Sequence, residues 1–198
     1  MSANTYLTPE ERAVLESARV GIAGAGGLGS NCAMHLVRSG VKHITIADFD
    51  VVNESNLNRQ FFFRDQIGQK KVEAIKANLL RIEPDADIRA VDMRLDASSA
   101  REIFADCGIV VEAFDAVDAK VMLVSAFASS GKKLVTASGL AGWGRSNAMK
   151  VRKMGNIVAI GDGETSVGDG AAPVSPRVGI AAAMEANAVV SLLLGCEP

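Results

Sequence analysis

The chain has 198 residues, 48% of them hydrophobic and 22% charged, which suits one water-soluble α/β domain with a sizeable core. A formal net charge of −2 argues against a nucleic-acid partner held by a basic surface. No apolar run approaches the roughly 20 residues of a membrane helix, and Met1-Ser2-Ala3-Asn4-Thr5-Tyr6 has neither a basic start nor an apolar core, so no membrane partner and no secretory leader are expected.

In chain order, Thr8-Pro9-Glu10-Glu11 reads as a helix start, with a cap, a proline at the first position and acids in the first turn. Residues 1–18 are therefore read as an N-terminal helical extension. A strand over 19–23 follows, then a glycine-rich turn and a helix over about 28–38 ending at Gly40. A second strand over 43–47 ends at Asp48. The helix that opens near Lys70-Lys71 shows Val72, Ile75, Leu79 and Ile82 at helical spacing. Strands over 87–91, 109–113 and 133–137 alternate with helices over 98–106 and 118–130. Residues 148–152 and 157–160 read as a hairpin around Met154-Gly155-Asn156. Residues 161–176 read as a mobile loop, and 179–194 as a final apolar helix. The alternation predicts a Rossmann-like, doubly wound, mostly parallel sheet with an antiparallel hairpin at the C-terminal edge, all within one nucleotide-binding domain spanning 1–198. The cysteines Cys32, Cys107 and Cys196 are far apart and odd in number, which suits a reducing cytoplasm; no C-x-x-C occurs, so no zinc is expected.

The chemistry gathers around Val20-Gly21-Ile22-Ala23-Gly24-Ala25-Gly26-Gly27-Leu28-Gly29-Ser30. Gly24, Gly26 and Gly29 fit G-x-G-x-x-G between a strand and a helix, a turn that lets a phosphate reach backbone amides. The free amides and dipole at the helix start favour that negative charge. Asp48, 24 residues after Gly24, stands where dinucleotide folds hold a ribose hydroxyl, or is a plain surface aspartate at a strand end. The segment Ser55-Asn56-Leu57-Asn58-Arg59-Gln60 is unusually polar for a connection between such elements. Phe61 to Phe63 then read as an anchor on the core. A lysine in a helix's first turn opposes the dipole, so Lys70 or Lys71 either faces an anion or is simply solvated. Asp115 follows the fourth strand, at the carboxyl end where open parallel sheets bind ligands. His35 and His43 lack a nearby acid or nucleophile in sequence and read as packing or surface residues.

Taken together in this order, GAGGLGS, the strand-end Asp48-Phe49-Asp50, SNLNRQ, the G-x-x-K from Gly68 to Lys71, and Asp115 resemble the ThiF/MoeB superfamily, relatives of ubiquitin-activating enzymes. The closing Pro176-Arg177-Val178-Gly179-Ile180-Ala181 through Ala186-Asn187 is similar to that superfamily's final helix. The length is similar to that of short bacterial ThiF proteins. The resemblance implies an adenylyltransferase that uses ATP and Mg²⁺ on the C-terminal Gly carboxylate of a ubiquitin-like sulfur carrier, ThiS, in thiamine biosynthesis, as a homodimer. It implies that Gly26, Gly27 and Gly29 admit the phosphates beside Gly24, that Asp48 holds the ribose, that Asn56, Arg59 and Lys71 contact phosphate and stabilise charge, and that Asp115 binds the metal. Gln60 would support Arg59.

Departures from the family pattern are informative. Ala116 follows Asp115 where an asparagine is common. The two C-x-x-C zinc pairs of many members are missing. No cysteine lies between Cys107 and Cys196, so adenylation without a covalent enzyme–carrier step, and a separate sulfur donor, are expected. Family members also place an arginine from the partner subunit's N-terminus in the site; Arg12 is the one arginine before Arg19, and its surroundings do not match. Rival readings are a MoaD-like carrier, a carboxylate on a tRNA base, a non-catalytic partner of the same fold, and an NAD-dependent oxidoreductase. The last lacks a recognisable substrate domain.

Overall fold

The computed structural model describes residues 6–166 and 170–198. Helix α1 (Pro9–Ser17) starts as its sequence dictates: the Thr8 hydroxyl accepts from the Glu11 amide, and the Glu11 carboxylate accepts from the Thr8 amide at 2.8 Å. Leu15 from α1 is fully buried, so the extension docks on its own domain.

Seven strands among the described residues make one sheet. They are β1 (Arg19–Ala23), β2 (His43–Asp48), β3 (Asp87–Asp92), β4 (Ile109–Glu112), β5 (Lys133–Ala137), β6 (Lys150–Met154) and β7 (Ile157–Gly161). Their order is β3-β2-β1-β4-β5-β7-β6. All neighbours are parallel except β6 and β7. Helices α2 (Gly27–Arg38), α3 (Lys71–Leu80), α4 (Ala97–Ile103), α5 (Val117–Phe127) and α6 (Ser175–Leu193) cover the two faces. The doubly wound expectation holds. Strands buried on both faces carry near-continuous apolar runs, and alternate residues serve opposite layers. Val20, Ile22, Ile44 and Val111 meet Cys32, Leu36, Ile75 and Val189 from α2, α3 and α6. Ala23, Ala47, Val110 and Leu134 meet Phe104, Leu123 and Phe127 from the α4–α5 side.

Helix α6 begins four residues before the expected start. Proline is accepted in a first turn, where the missing N–H would have no partner, so Pro176 opens the helix rather than closing a loop. Of the expected mobile loop, residues 167–169 lie outside the described residues. The flanking parts are tied down. Asp162 and Arg177 form a buried ion pair, Asp162 Oδ1 accepts from the Glu164 and Thr165 amides at 2.8 and 2.9 Å, and Arg177 donates to the Gly144 carbonyl. Gly142 pairs with Pro173 in a parallel bridge. Strand β6 is the free edge, exposed along its whole length. None of the helices among the described residues is long and apolar enough to cross a membrane.

Glu185 of α6 is fully buried, and neither carboxylate oxygen has a hydrogen-bond partner among the described residues. Glu112 from β4, Lys120 from α5 and Cys32 from α2 are the titratable groups around it. Burial first, and the Glu112 carboxylate second, push its pKa well above the usual carboxylate range, with Lys120 opposing. The folded chain therefore keeps a proton that the unfolded chain releases above a pKa of about 4.3. The stability this group supports is complete below that value and is lost as pH rises towards the folded pKa, at up to about 1.4 kcal/mol per pH unit. Glu185→Gln is permanently neutral. Its melting temperature should stay near wild type at pH 5 and exceed it increasingly towards pH 8. Thermal unfolding curves that run parallel across that range would show that Glu185 is not a buried acid.

Candidate nucleotide site

The site forms where strand order reverses, between the carboxyl ends of β1 and β4. Chain leaves β1 at Gly24 with φ +104°, and a Cβ there would lie 2.7 Å from the Ala113 carbonyl oxygen. Only glycine meets both conditions. A Cβ on Gly29 would lie 1.9 Å from the Gly24 carbonyl oxygen, so this third glycine is required for the close seating of α2 on β1. That packing requirement stands beside the phosphate-admitting role implied by the family resemblance. Gly26 caps α2 without any side-chain hydrogen bond, which leaves the first-turn amides open to an anion. Asp48 closes β2. Its Oδ2 accepts from the Ala25 amide at 2.7 Å and its Oδ1 from the Asp50 amide at 2.8 Å. It is thus a strut for the glycine loop, and each oxygen retains a lone pair for a sugar hydroxyl.

The polar SNLNRQ segment folds down onto this loop. Asn56 Oδ1 accepts from the Asn53 amide at 2.9 Å and shapes the 3₁₀ turn Glu54–Asn56. Two residues of α2 then fasten the segment, and sequence reasoning missed both. Asn31 Nδ2 donates to the carbonyls of Gly27 at 2.6 Å and Arg59 at 2.9 Å. Ser30 Oγ donates to the Gly26 carbonyl at 2.6 Å and accepts from the Phe61 amide at 3.0 Å. The available signal was a polar pair, Ser30-Asn31, four residues after the loop glycines and on the otherwise apolar start of a helix. Phe62 is the core anchor, whereas Phe63 is half-exposed and lies edge-on to Phe61. The Arg59 stem crosses Gly27: a Cβ on Gly27 would stand 3.6 Å from Arg59 Cγ and 2.9 Å from Val178 Cγ1. The guanidinium donates to Asn58 Oδ1 at 2.8 Å and the Ser55 carbonyl at 3.2 Å. Gln60 lies by Gly26, buried, with Oε1 unpartnered among the described residues.

Lys71 is the first residue of α3 and is buried; its Nζ donates to Asp50 Oδ2 at 2.8 Å. Lys70 pairs with Asp92. Each lysine that opposes the dipole therefore faces an anion, and the anion is a carboxylate of the protein. Asp50 is half-exposed, which places the Lys71 pair at the mouth of the site.

Asp115 lies three residues past β4, exposed, with no hydrogen bond or ion pair among the described residues. Beneath it Glu112 is fully buried. It accepts from the Phe114 amide at 2.8 Å, from Thr136 Oγ1 at 2.5 Å and from Lys120 Nζ at 3.0 Å. No group of three or more His, Cys, Asp or Glu is gathered as a metal cage among the described residues. A single free carboxylate fits Mg²⁺, which keeps several waters and takes phosphate oxygens as further ligands. Burial pushes the Cys32 thiol well up and the Cys107 thiol to about 11, while Cys196 follows α6 and is exposed. His43 binds Asp87 at 3.1 Å across the amino ends of β2 and β3, opposite the site. Around the glycine turn lie open amides, the Arg59 stem and the Asp48 carboxylate; Lys71 is tied to Asp50, two residues past Asp48, and Asp115 follows two residues after Ala113, whose carbonyl abuts Gly24. Amides and cations suit an anion, and the carboxylates suit a sugar hydroxyl or a hard cation.

Characterised proteins resemble this chain over part of their length. The adenylyltransferase and sulfurtransferase UBA4 of Eremothecium gossypii is 36% identical over 127 residues, 64% of this chain and 29% of that protein. The molybdopterin-synthase adenylyltransferase of Salmonella typhimurium is 37% identical over 115 residues, 58% of this chain and 46% of that protein. The chain thus spans less than half the length of either. In fold it matches the E. coli tRNA N6-threonylcarbamoyladenosine dehydratase TcdA, solved in complex with AMP. The TM-score is 0.84 at 20% identity, covering 94% of this chain and 90% of that one. The ThiF family profile matches residues 3–198, and the chain belongs to the ThiF family.

Proposed function

We propose that this protein adenylylates the C-terminal glycine carboxylate of a ThiS-like sulfur carrier, working as a cytoplasmic homodimer in thiamine biosynthesis. The observation that supports the reading is an uncapped glycine turn at the switch point of the sheet, with the Arg59 stem lying across Gly27 and the Asp48 carboxylate on the Ala25 amide. A terminal carboxylate has a pKa of about 3.5 and is already the nucleophile at neutral pH. One carboxylate oxygen forms a bond to the α-phosphorus of ATP as the bond from that phosphorus to the bridging oxygen breaks, leaving acyl-adenylate and pyrophosphate. The barrier is the approach of an anion to a polyanion, so positioning and charge neutralisation dominate.

In this reading Asp48 accepts the ribose hydroxyls, and the amides of Gly26 and Gly27 meet phosphate oxygens. Arg59 turns from Ser55 and Asn58, and Lys71 from Asp50, towards the phosphates, with Asn56 beside them. Gln60 offers its orphaned oxygen to the Arg59 guanidinium. Asp115 holds Mg²⁺, which would supply a Lewis acid for the departing phosphates. In this reading sulfur comes from a separate donor.

The deciding measurement is ATP–[³²P]pyrophosphate exchange with Mg²⁺ and either ThiS, MoaD or tRNA as acceptor. Exchange that needs ThiS and its Gly-Gly end supports the reading. Exchange with MoaD or tRNA alone moves the acceptor, and none with any acceptor despite ATP binding points to a non-catalytic partner. Arg59→Ala and Asp115→Ala should each lower exchange by about 10²–10³-fold with folding intact; near-normal rates would remove their roles. Asn31→Ala loses the tie between α2 and the Arg59 carbonyl. It should weaken ATP binding about three- to tenfold, the equivalent of one hydrogen bond of ~1 kcal/mol, as read by calorimetry.

A further inference from the structure

Asp115 has an exposed side chain with no bond of its own, yet its proposed task needs a fixed position. Its backbone must therefore be held from elsewhere. Directly before it, the Ala113 amide donates to the Ala23 carbonyl of β1 at 2.9 Å, and the Phe114 amide donates to Glu112 Oε1 at 2.8 Å. Directly after it comes α5, whose Ala116 cap gives no side-chain hydrogen bond. The first turns of α5 are fastened instead by Lys120. Its Nζ reaches both Glu112 oxygens, at 3.2 and 3.0 Å, and the Ala137 carbonyl at the end of β5, at 3.1 Å. Thr136 of β5 donates to Glu112 Oε2. One buried carboxylate thus closes a ring around residues 113–117 and ties that ring to β5.

Lys120 is partly exposed and Glu112 is fully buried, and desolvating that carboxylate offsets much of the pair's attraction, so the pair contributes little net stability. The geometry assigns this pair a different task. We infer that Glu112, clamped by Lys120 and Thr136, is the positioning residue for Asp115. The inference rests on the reading of Asp115 as the metal carboxylate. Glu185 fits the same picture. Lys120, the cation facing Glu185, is already bound to Glu112, and both Glu185 oxygens are without hydrogen-bond partners among the described residues, so Glu185 stands by as a neutral acid.

The test replaces the pair with apolar side chains of similar size, Glu112→Leu/Lys120→Met, which retains the fold while the Phe114 amide loses its acceptor. Thr136→Val, a smaller change, removes one clamp only. Hydrogen exchange of the nucleotide-free protein is followed by mass spectrometry. Separately, Mg²⁺ is titrated in ATP–pyrophosphate exchange, and ATP binding is measured without Mg²⁺. In the double variant, amides of 113–117 should exchange at least about tenfold faster while those of β1 and β5 keep their protection. Half-saturating Mg²⁺ should rise about 10–100-fold, the scale seen when a group supporting a metal ligand is lost, with Mg²⁺-free ATP affinity within about threefold of wild type. Thr136→Val should move the same readouts less. Unchanged exchange at 113–117 in both variants overturns the inference. So does a loosened loop with an unaltered Mg²⁺ requirement, when Asp115→Asn shifts that requirement. If Asp115→Asn leaves the Mg²⁺ requirement alone, the metal role of Asp115 falls; faster exchange at 113–117 still upholds the tether, which that readout judges without any reaction.

Discussion

Everything at the carboxyl edge of this sheet depends on how closely α2 can lie against β1. The approach is backbone to backbone. The place where a Gly29 Cβ would sit is already filled by the Gly24 carbonyl, and the place of a Gly24 Cβ by the Ala113 carbonyl. Three chain segments from three elements share one small volume because two of them have no side chain there. This contact seats the Ala113 end of β4 against the glycine turn, two residues before Asp115. It also brings the turn within reach of Asp48, whose carboxylate holds the Ala25 amide from the neighbouring strand.

With that contact in place, the remainder is a matter of where charges can rest. Arg59 and Lys71 are a half-buried and a buried cation, and each has a polar partner within the protein. Neither is left bare, and a bare buried cation would be costly. Both partners, Asn58 and Asp50, lie at the exposed rim, so the cations are stabilised at the border of the crevice rather than locked in the core. The Glu112–Lys120 pair is the opposite case: Glu112 is fully buried under the loop, and its oxygens are taken by Phe114, Thr136 and a partly exposed Lys120. One layer holds groups that can exchange partners, and the layer beneath holds groups that do not.

Much of this was legible in the sequence because it is local. Strand–glycine–helix, the strand-end Asp48 and Asp115, and the polar SNLNRQ stretch are all contiguous patterns, and the mostly parallel, doubly wound sheet with its edge hairpin follows from the alternation of strands and helices, whereas the strand order does not. What escaped reading is made by side chains whose partners are remote in sequence. Asn31 is 28 positions from the carbonyl it holds, and Thr136 reaches Glu112 only because β4 and β5 are neighbours. His43 had no acid in its own stretch and finds Asp87 on the adjacent strand. The start of α6 was misplaced for a different reason: proline is a breaker inside a helix and an acceptable opener, and composition does not distinguish the two. Gly29 shows a similar ambiguity, since the fingerprint marks the glycine without stating whether a ligand or a helix needs the room.

Strand β6 carries a consequence of another kind. It ends the sheet with unpaired backbone groups, the usual template for another molecule to add a strand. Three of its five residues, Lys150, Arg152 and Lys153, are cations, and the whole strand faces solvent. Two such edges approaching each other would set like charges opposite one another, which opposes pairing. The charge on β6 therefore acts on colloidal behaviour: it keeps the sheet from growing from molecule to molecule, and it should matter most in concentrated solution at low salt, where repulsion between exposed charges reaches furthest.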